Sequence, residues 1–591
     1  MPVENRASAP KKPLVSAVVI AFNEERNLPR CLASLRLGEV VDEVVVVDSG
    51  STDRTVELAT AAGARVLHHD FEGHIEQKNW AQAQALGSWI LSLDADEALS
   101  DALQAALLAW RKVPESGRAE AYAMNRLTNY CGHWVRHSGW YPDRKVRLWR
   151  AGQGTWAGEN PHDRLEAQGR VDRLTGDLLH YSYYTRQDHL DQIQFFSDIA
   201  APAARVLSWP IILGKVAFQW GKNYLLRGGW RDGKAGWEIA RWSAFATWEK
   251  YRKARNRGRA VRRLPAGRVE RVLVVRTDAL GDVVVTLALA GWLKREAPGV
   301  EVVMCVAGYA ESVARACPDV DRVVVKGAAG WVEEAAECEV AVFAFPDREV
   351  VAALRGRVPV RVGTGRRWHV VAAMTHRVWE GRKRSGHHEA WHGLRLLEPV
   401  RLVPGLARPG RRLPDDRPEV LAPLVRLEAR ARVPDGLLPT DGRPVVVVHP
   451  GSRGSANNWS WTRYALLAQT LSASHHVLIT GTQAEGEQMG PLWSELEGTA
   501  VVDATGRCTL DELLALLSAV DCVVASSTGP LHLAAALGTR VVGLYGTEAP
   551  VWPERWRPLG AHVTVLTASQ LAADGGLDVP VDEVVSAAQA K

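Results

Sequence analysis

The feature that most limits what this chain can fold into is a recurrence. Short valine-rich runs, among them "LVSAVVIAF", "VDEVVVVDSG" and "SWILSLDAD", alternate with stretches of helical periodicity from residue 14 to 96. Strands covered on both faces read as near-continuous apolar runs, and parallel neighbours need crossover helices between them. The pattern therefore predicts a parallel sheet sandwiched by helices. The same texture returns at Arg268 in "RVERVLVVRTDALGD", "EVVMCVA", "DRVVVK", "VAVFAFP" and "VPVRVGTG". It returns again near residue 443 in "RPVVVVHPGSRG", "HHVLITGTQAEGE" and "DCVVASSTGPLHLAAALGTRVVGLYG". At 591 residues the chain exceeds what one core serves. The expected plan is α/β throughout, with a first domain over 1–204, a bridge over 205–266, and two doubly wound domains over 267–405 and 406–591.

The bridge differs in texture. In "WPIILGKVAFQWGKNYLLRGGWRDGKAGWEIARWSAFATWEKYRKAR" the apolar runs are too short and too interrupted for a membrane span. Tryptophan with Lys and Arg at helical spacing suits helices lying in a bilayer interface, and the basic string that follows would be attracted to anionic lipid. Domain-packing helices with a solvated linker are the plainer reading. The net charge of +5 is too mild for a dedicated nucleic-acid binder, and no groove-reading motif accompanies the basic stretches. Seven cysteines without CxxC pairs or His/Cys metal spacing fit a reducing cytoplasm. The first residues read as no secretory signal.

Two motifs carry chemistry. In "WILSLDADEALS" an apolar run ends in acceptors with no basic residue beside them in sequence. Side chains two apart on a strand share a face, so Asp94 and Asp96 are expected to point together from the carboxyl edge of a sheet, where open α/β sheets bind ligands. A hard divalent cation bridging to a diphosphate would offset their charge; the alternative is that Asp96 and Glu97 start the next helix. Two further strand ends carry polar tips, Asn23 with Glu24, and Asp48 with Asp53. These stretches, with "QKNWA", "HSGWYPDRKVRLWR" and "GDLLHYSY", resemble the family 2 glycosyltransferases of the GT-A fold, and within them the branch that adds glucose to the lipopolysaccharide inner core. The resemblance implies that Asn23, Glu24 and Asp48 hold the nucleotide, that Lys78 lies near the phosphates, and that Asp96, with Asp94, binds Mg2+ or Mn2+. It implies Asp163 as the base, although this branch commonly carries His-Glu where "NPHDRLE" stands; a surface turn residue is the other reading.

The second motif pairs "RTDALGD" with "SSTGPLHLAAALG", two loops that each follow a strand and open a helix. Backbone amides and hydroxyls at a helix start, backed by the dipole, cradle a diphosphate without metal, and they also simply cap helices. Together with "VVVHPGSRGSANNW" and "LITGTQAEGE", residues 269–570 resemble the family 9 glycosyltransferases, heptosyltransferases of the GT-B fold. That resemblance implies Asp282 as base, Ser527, Thr528, Gly529 and His532 on the donor phosphates, and Glu485 on the ribose. Family members often carry Asp at the Ser527 position and Lys or Arg at the Asn457 position; either Arg453 would substitute there or the donor would differ. The basic passage from Arg366 to His388 would receive a phosphorylated or carboxylated glycolipid.

The expectation is a bifunctional enzyme on the cytoplasmic face of the inner membrane. It would transfer glucose from UDP-glucose and heptose from ADP-heptose, with inversion, to a lipid A-core acceptor, and would bind no nucleic acid. The residues leave open one live half with the other a glycolipid-binding module, a C-terminal epimerase or sensor, and a different surface glycan as product.

Overall fold

The computed structural model describes residues 13–159, 162–382, 385–406, 412–452, 458–548, 552–572 and 576–590. The chain divides into two compact units. One holds the residues up to Ser197 with Leu207–Glu249, the other Asp198–Val206 with the residues from Lys250 on.

The first unit is built on a nine-stranded sheet. Its parallel half orders Arg65–His68, Glu43–Asp48, Val15–Ala21 and Trp89–Asp94. Alternation along these strands buries both faces. Val15, Ala17 and Val19 pack with Leu28, Leu32 and Leu35 of the helix Leu28–Leu35, while Val18, Val45 and Val47 pack with Ala81 of the helix His74–Ala83. Beyond Trp89–Asp94 the sheet turns antiparallel through Asp143–Arg150, which pairs with Ala121–Tyr130. Val171–Tyr183, Glu97–Leu99 and the short His133–Trp134, which pairs with Ala121–Tyr130, complete it. The passage over 120–195, irregular as sequence, is thus largely strand.

The second unit carries two six-stranded parallel sheets. The first runs Arg322–Val325, Glu301–Val306, Arg271–Val275, Val340–Phe343, Val360–Thr364, His376–Val378; the second runs Val502–Asp503, His476–Ile479, Val445–His449, Cys522–Ser526, Arg540–Gly546, Val563–Ala568. In all three sheets the strand order reverses beside the strand of that sheet that comes first in the chain. At such a switch point the loops leaving two neighbouring strands diverge and open a crevice at their carboxyl ends. The loops after Ala21 and Asp94, after Val275 and Phe343, and after His449 and Ser526 therefore mark three crevices. They carry most of the residues singled out in the sequence.

Candidate functional sites

At the carboxyl edge of the first sheet, the run ending at Asp94 has cations after all. Asp94 accepts from Lys78 Nζ through Oδ1 at 2.8 Å and from Arg147 through Oδ2 at 2.8 Å. Arg147, on the strand Asp143–Arg150, also reaches Glu97 Oε1 at 2.7 Å, and Arg126 lies 3.7 Å from the same oxygen. Glu97 is buried, and its second oxygen accepts the Asp94 amide at 3.0 Å. Burial favours a neutral Asp94, yet the charges of Lys78 and Arg147 outweigh it and hold the carboxyl well below its usual range. The same two acids outweigh burial at Arg147 and raise its guanidinium.

Asp94, expected to ligate a metal beside Asp96, is here engaged by Lys78 and Arg147. The strand stops at Asp94, Asp96 lies in the following turn, and the two acids serve different partners. Asp96 Oδ2 sits 3.2 Å from His180 Nε2, on Val171–Tyr183. Helix start is not its role either, since Glu97–Leu99 is a strand. A carboxylate with an imidazole suits a divalent cation, and the surroundings are acidic enough to want one. Burial pushes the Glu24 carboxyl up, and the charges of Asp96, Asp53 and Asp94 push it further. Among the described residues no group of three or more His, Cys, Asp or Glu is set to hold a metal. Asp96 and His180 are the residues that would hold such a cation, which would supply positive charge at this edge.

Lys78 is 6% exposed and bonds Asp163 Oδ2 at 2.8 Å while holding Asp94. One ammonium thus ties the expected base to the strand end. Asn23 has a left-handed backbone (φ 54°) and accepts the Thr52 amide at 2.8 Å. The Glu24 amide donates to the Thr55 hydroxyl at 2.7 Å. Asp48 receives the amides of Gly50 and Ser51 at 2.9 and 3.0 Å, the turn-capping geometry. Arg147 and His180 are the residues that sequence reasoning missed, although both lie inside stretches quoted for the resemblance.

Arg147→Met would strand Glu97 in the interior. Losing one partner of a buried pair costs about 3–5 kcal/mol, so the first unit should melt well below wild type in calorimetry, with Arg147→Lys recovering part of the loss. Equal melting of Arg147→Met and wild type would show that the pair does not hold this edge.

In the second unit a cavity of about 770 Å3 opens at the first switch point, lined by Arg276, Asp278, Asp282, Arg366, Arg382 and Arg555 among others. Arg276 is buried under three carboxylates. Its Nε donates to Asp278 at 2.6 Å, another nitrogen bonds Asp282, and a third lies 3.5 Å from Glu389. Glu389, itself buried, also binds Arg382 and Arg555 at 2.7 and 2.9 Å. Asp282 stands in the first turn of the helix Leu280–Glu296, but the N-cap is Ala279, so capping does not explain the acid. Asp278 was not singled out from sequence. Burial raises its carboxyl despite the opposing charge of Arg276.

The loop Ser527–Gly529 meets this region. A Cβ on Gly281 would come 3.1 Å from the His532 ring, and one on Gly529 would come 3.1 Å from Leu280, so the two loops touch through glycines. Thr528 is the N-cap of the helix Gly529–Ala536, yet its side chain caps nothing, and its buried hydroxyl has no partner among the described residues. An unsatisfied buried hydroxyl is costly, and a ligand oxygen at this helix start would satisfy it. His532 is buried, its Nδ1 has no partner among the described residues, and burial brings its pKa down to about 3, so it meets any phosphate as a neutral imidazole. Glu485 completes a capping box with Thr482, whose amide and hydroxyl reach it at 2.8 Å. Arg453 and Asn457 lie outside the described residues.

Comparison with known proteins finds two family resemblances along the chain. Residues 16–138 match the family model of glycosyl transferase family 2, and residues 350–575 match that of glycosyltransferase family 9 (heptosyltransferase). The two matches fall on separate stretches of one polypeptide. Asp163, His180, Arg147 and Asp282 lie outside the matched spans.

Among curated relatives, an uncharacterized glycosyltransferase of Rickettsia typhi is 29% identical over 31% of this chain and 65% of its own length. The lipopolysaccharide core biosynthesis glycosyltransferase LpsC of Rhizobium meliloti is 34% identical over 29% of this chain and 64% of its own length. The chain thus spans a little under two thirds of each. Among solved structures, the ADP-heptose lps heptosyltransferase II of E. coli aligns with 54% of this chain and 97% of its own, at 19% identity and a TM-score of 0.42.

Proposed function

We propose that this chain is a bifunctional glycosyltransferase of lipopolysaccharide core biosynthesis, working on a lipid-linked acceptor at the cytoplasmic face of the inner membrane. The N-terminal half transfers a hexose, glucose from UDP-glucose. The C-terminal half transfers a heptose from ADP-heptose. Both invert the anomeric carbon by direct displacement. The observation that carries this reading is the contrast between two crevices: in the first unit Asp96 beside an imidazole with Glu24, Asp53 and Asp94 close by, and in the second a Thr528 hydroxyl at a helix start with no partner among the described residues.

In the first half Asp163 accepts the proton of the attacking hydroxyl as the sugar migrates, and Lys78 keeps that carboxylate in place. Mg2+ or Mn2+ held by Asp96 and His180 would supply charge to the departing diphosphate. In the second half Asp282 is the base, oriented by Arg276. The amides and hydroxyl of Thr528–Gly529 take the charge of the departing diphosphate. The guanidinium-lined cavity beside them suits an anionic acceptor.

The test uses membranes bearing truncated core acceptor, labelled UDP-glucose and ADP-heptose, and a chelator. Chelation should abolish hexose incorporation and leave heptose incorporation intact. Equal loss of both would refute the metal-free assignment of the second half, and failure of either donor in untreated membranes would refute bifunctionality.

A further inference from the structure

The helix Trp209–Gly221 has a composition at odds with its packing. It is apolar along most of its length, yet Ile212 is its one buried residue. A helix that is apolar nearly all round normally sits in a core or in lipid. Here Ile211, Leu213 and Phe218 are exposed, Phe218 at 63%. Nothing approaches within 4 Å of where a Cβ on Gly214 or Gly221 would stand. The chain then winds through a π-helical turn, Lys222–Leu226, and reverses at Gly228, where φ is 67°. Leu225 and Leu226 stand at that reversal 59% and 78% exposed, with Trp230 exposed just beyond. The reversal is a tight one: a Cβ on Gly236 would lie 1.8 Å from the Gly229 carbonyl oxygen, so only glycine lets the returning helix close on it. Single exposed leucines are ordinary; a run of exposed large apolar side chains along one hairpin is not.

Charge identifies the occupant. Lys215, Lys222, Arg227, Arg231 and Lys234 interleave with the apolar residues. The single acid between Trp209 and Trp237 is Asp232, which is buried and turned inward to the amides of Arg136 and His137. Lysine is depleted at the core of protein–protein interfaces, whereas lysine and arginine around an apolar wedge match anionic headgroups over acyl chains. A span is not available, since no helix among the described residues is long and apolar enough to cross a membrane.

We propose that the hairpin from Trp209 to Trp237 docks on the surface of an anionic bilayer, with Phe218, Leu225 and Leu226 entering the acyl boundary and the basic residues meeting lipid phosphates. This deepens the reading of a lipid-linked acceptor, because it would bring the first unit's crevice to the surface where such an acceptor lies. Its test needs no acceptor, so the two can fail separately.

The full chain is sedimented with vesicles of phosphatidylethanolamine and phosphatidylglycerol, and in parallel with phosphatidylcholine vesicles, at low and high salt. Binding should favour the anionic vesicles by about tenfold or more and weaken with salt. Leu225→Glu with Leu226→Glu should cut it by about tenfold at unchanged melting temperature. Lys215→Glu with Lys222→Glu should erase the preference for anionic lipid. The proposal is overturned if the wild-type chain stays in the supernatant with anionic vesicles, or if the leucine variant binds as wild type does. It is equally overturned if, without lipid, the wild type is a dimer that the leucine variant splits, which would assign the face to a second copy of the chain.

Discussion

Asp282→Asn should lower heptose transfer by about 10²–10⁴-fold, the usual contribution of a positioned general base, and leave hexose transfer unchanged. The substitution keeps the shape of the side chain and removes its ability to take a proton. It should also be tolerated by the fold, because Arg276 keeps Asp278 and Glu389 as partners. The loss should fall on kcat, with the KM for ADP-heptose little changed, since the donor cradle lies on the other loop. Asp278→Asn is the informative companion. If Asp278 were the base, that variant would show the larger loss and Asp282→Asn would stay within a few-fold of wild type.

The second large effect concerns acid. Burial lowers the pKa of His376 and His388 to about 4 and of His532 to about 3, all in the second unit, and of His189 to about 4 in the first. Unfolding returns each ring to water, where it titrates near 6.5. A folded pKa below the unfolded one means that the unfolded state binds more protons. The stability these groups leave intact above pH 6.5 is therefore lost as the pH falls from 6.5 toward 4. Each shift of roughly 2.5 units or more corresponds to about 3 kcal/mol or more, so the three in the second unit together rival the whole stability of an ordinary domain. Asp278 opposes the trend, because its raised carboxyl is relieved by protonation, but it is one group against three. In the first unit, the stability carried by the depressed carboxyl of Asp94 persists until the pH falls below about 4. Calorimetry at pH 7.5, 6 and 5 should thus show the second unit's transition falling by about 10 °C or more while the first unit's moves less. Parallel movement of the two transitions would contradict this account.

The sequence declared its sheets because burial on both faces forces valine into consecutive positions, as in Val44–Val47 and Val445–Val448. The loops after those strands were legible for the same reason: topology puts strand ends at switch points, and the polar tips show where each strand stops. What could not be read was pairing across the sheet. Asp94 meets Arg147 because the strand Trp89–Asp94 pairs antiparallel with Asp143–Arg150, a neighbour that no local pattern announces. The acids looked unpartnered in sequence because their cations come from far along the chain. His180 approaches Asp96 in the same way, from a strand that lies two neighbours beyond Asp143–Arg150. In the second half the reverse held. Ser527–Gly529 looked like an ordinary cap, and it is the missing hydrogen bond of Thr528 that sets it apart.

The most direct measurement is calorimetric titration of the full chain with UDP and with ADP, each in the presence and absence of Mn2+. Two independent sites are predicted: UDP binding should require Mn2+ and vanish in Asp96→Asn, while ADP binding should survive metal removal, survive Asp96→Asn and ignore saturating UDP. A single site at which the two nucleotides compete, or ADP binding that disappears with the metal, would contradict the claim that this chain grips nucleoside diphosphates in two chemically different ways.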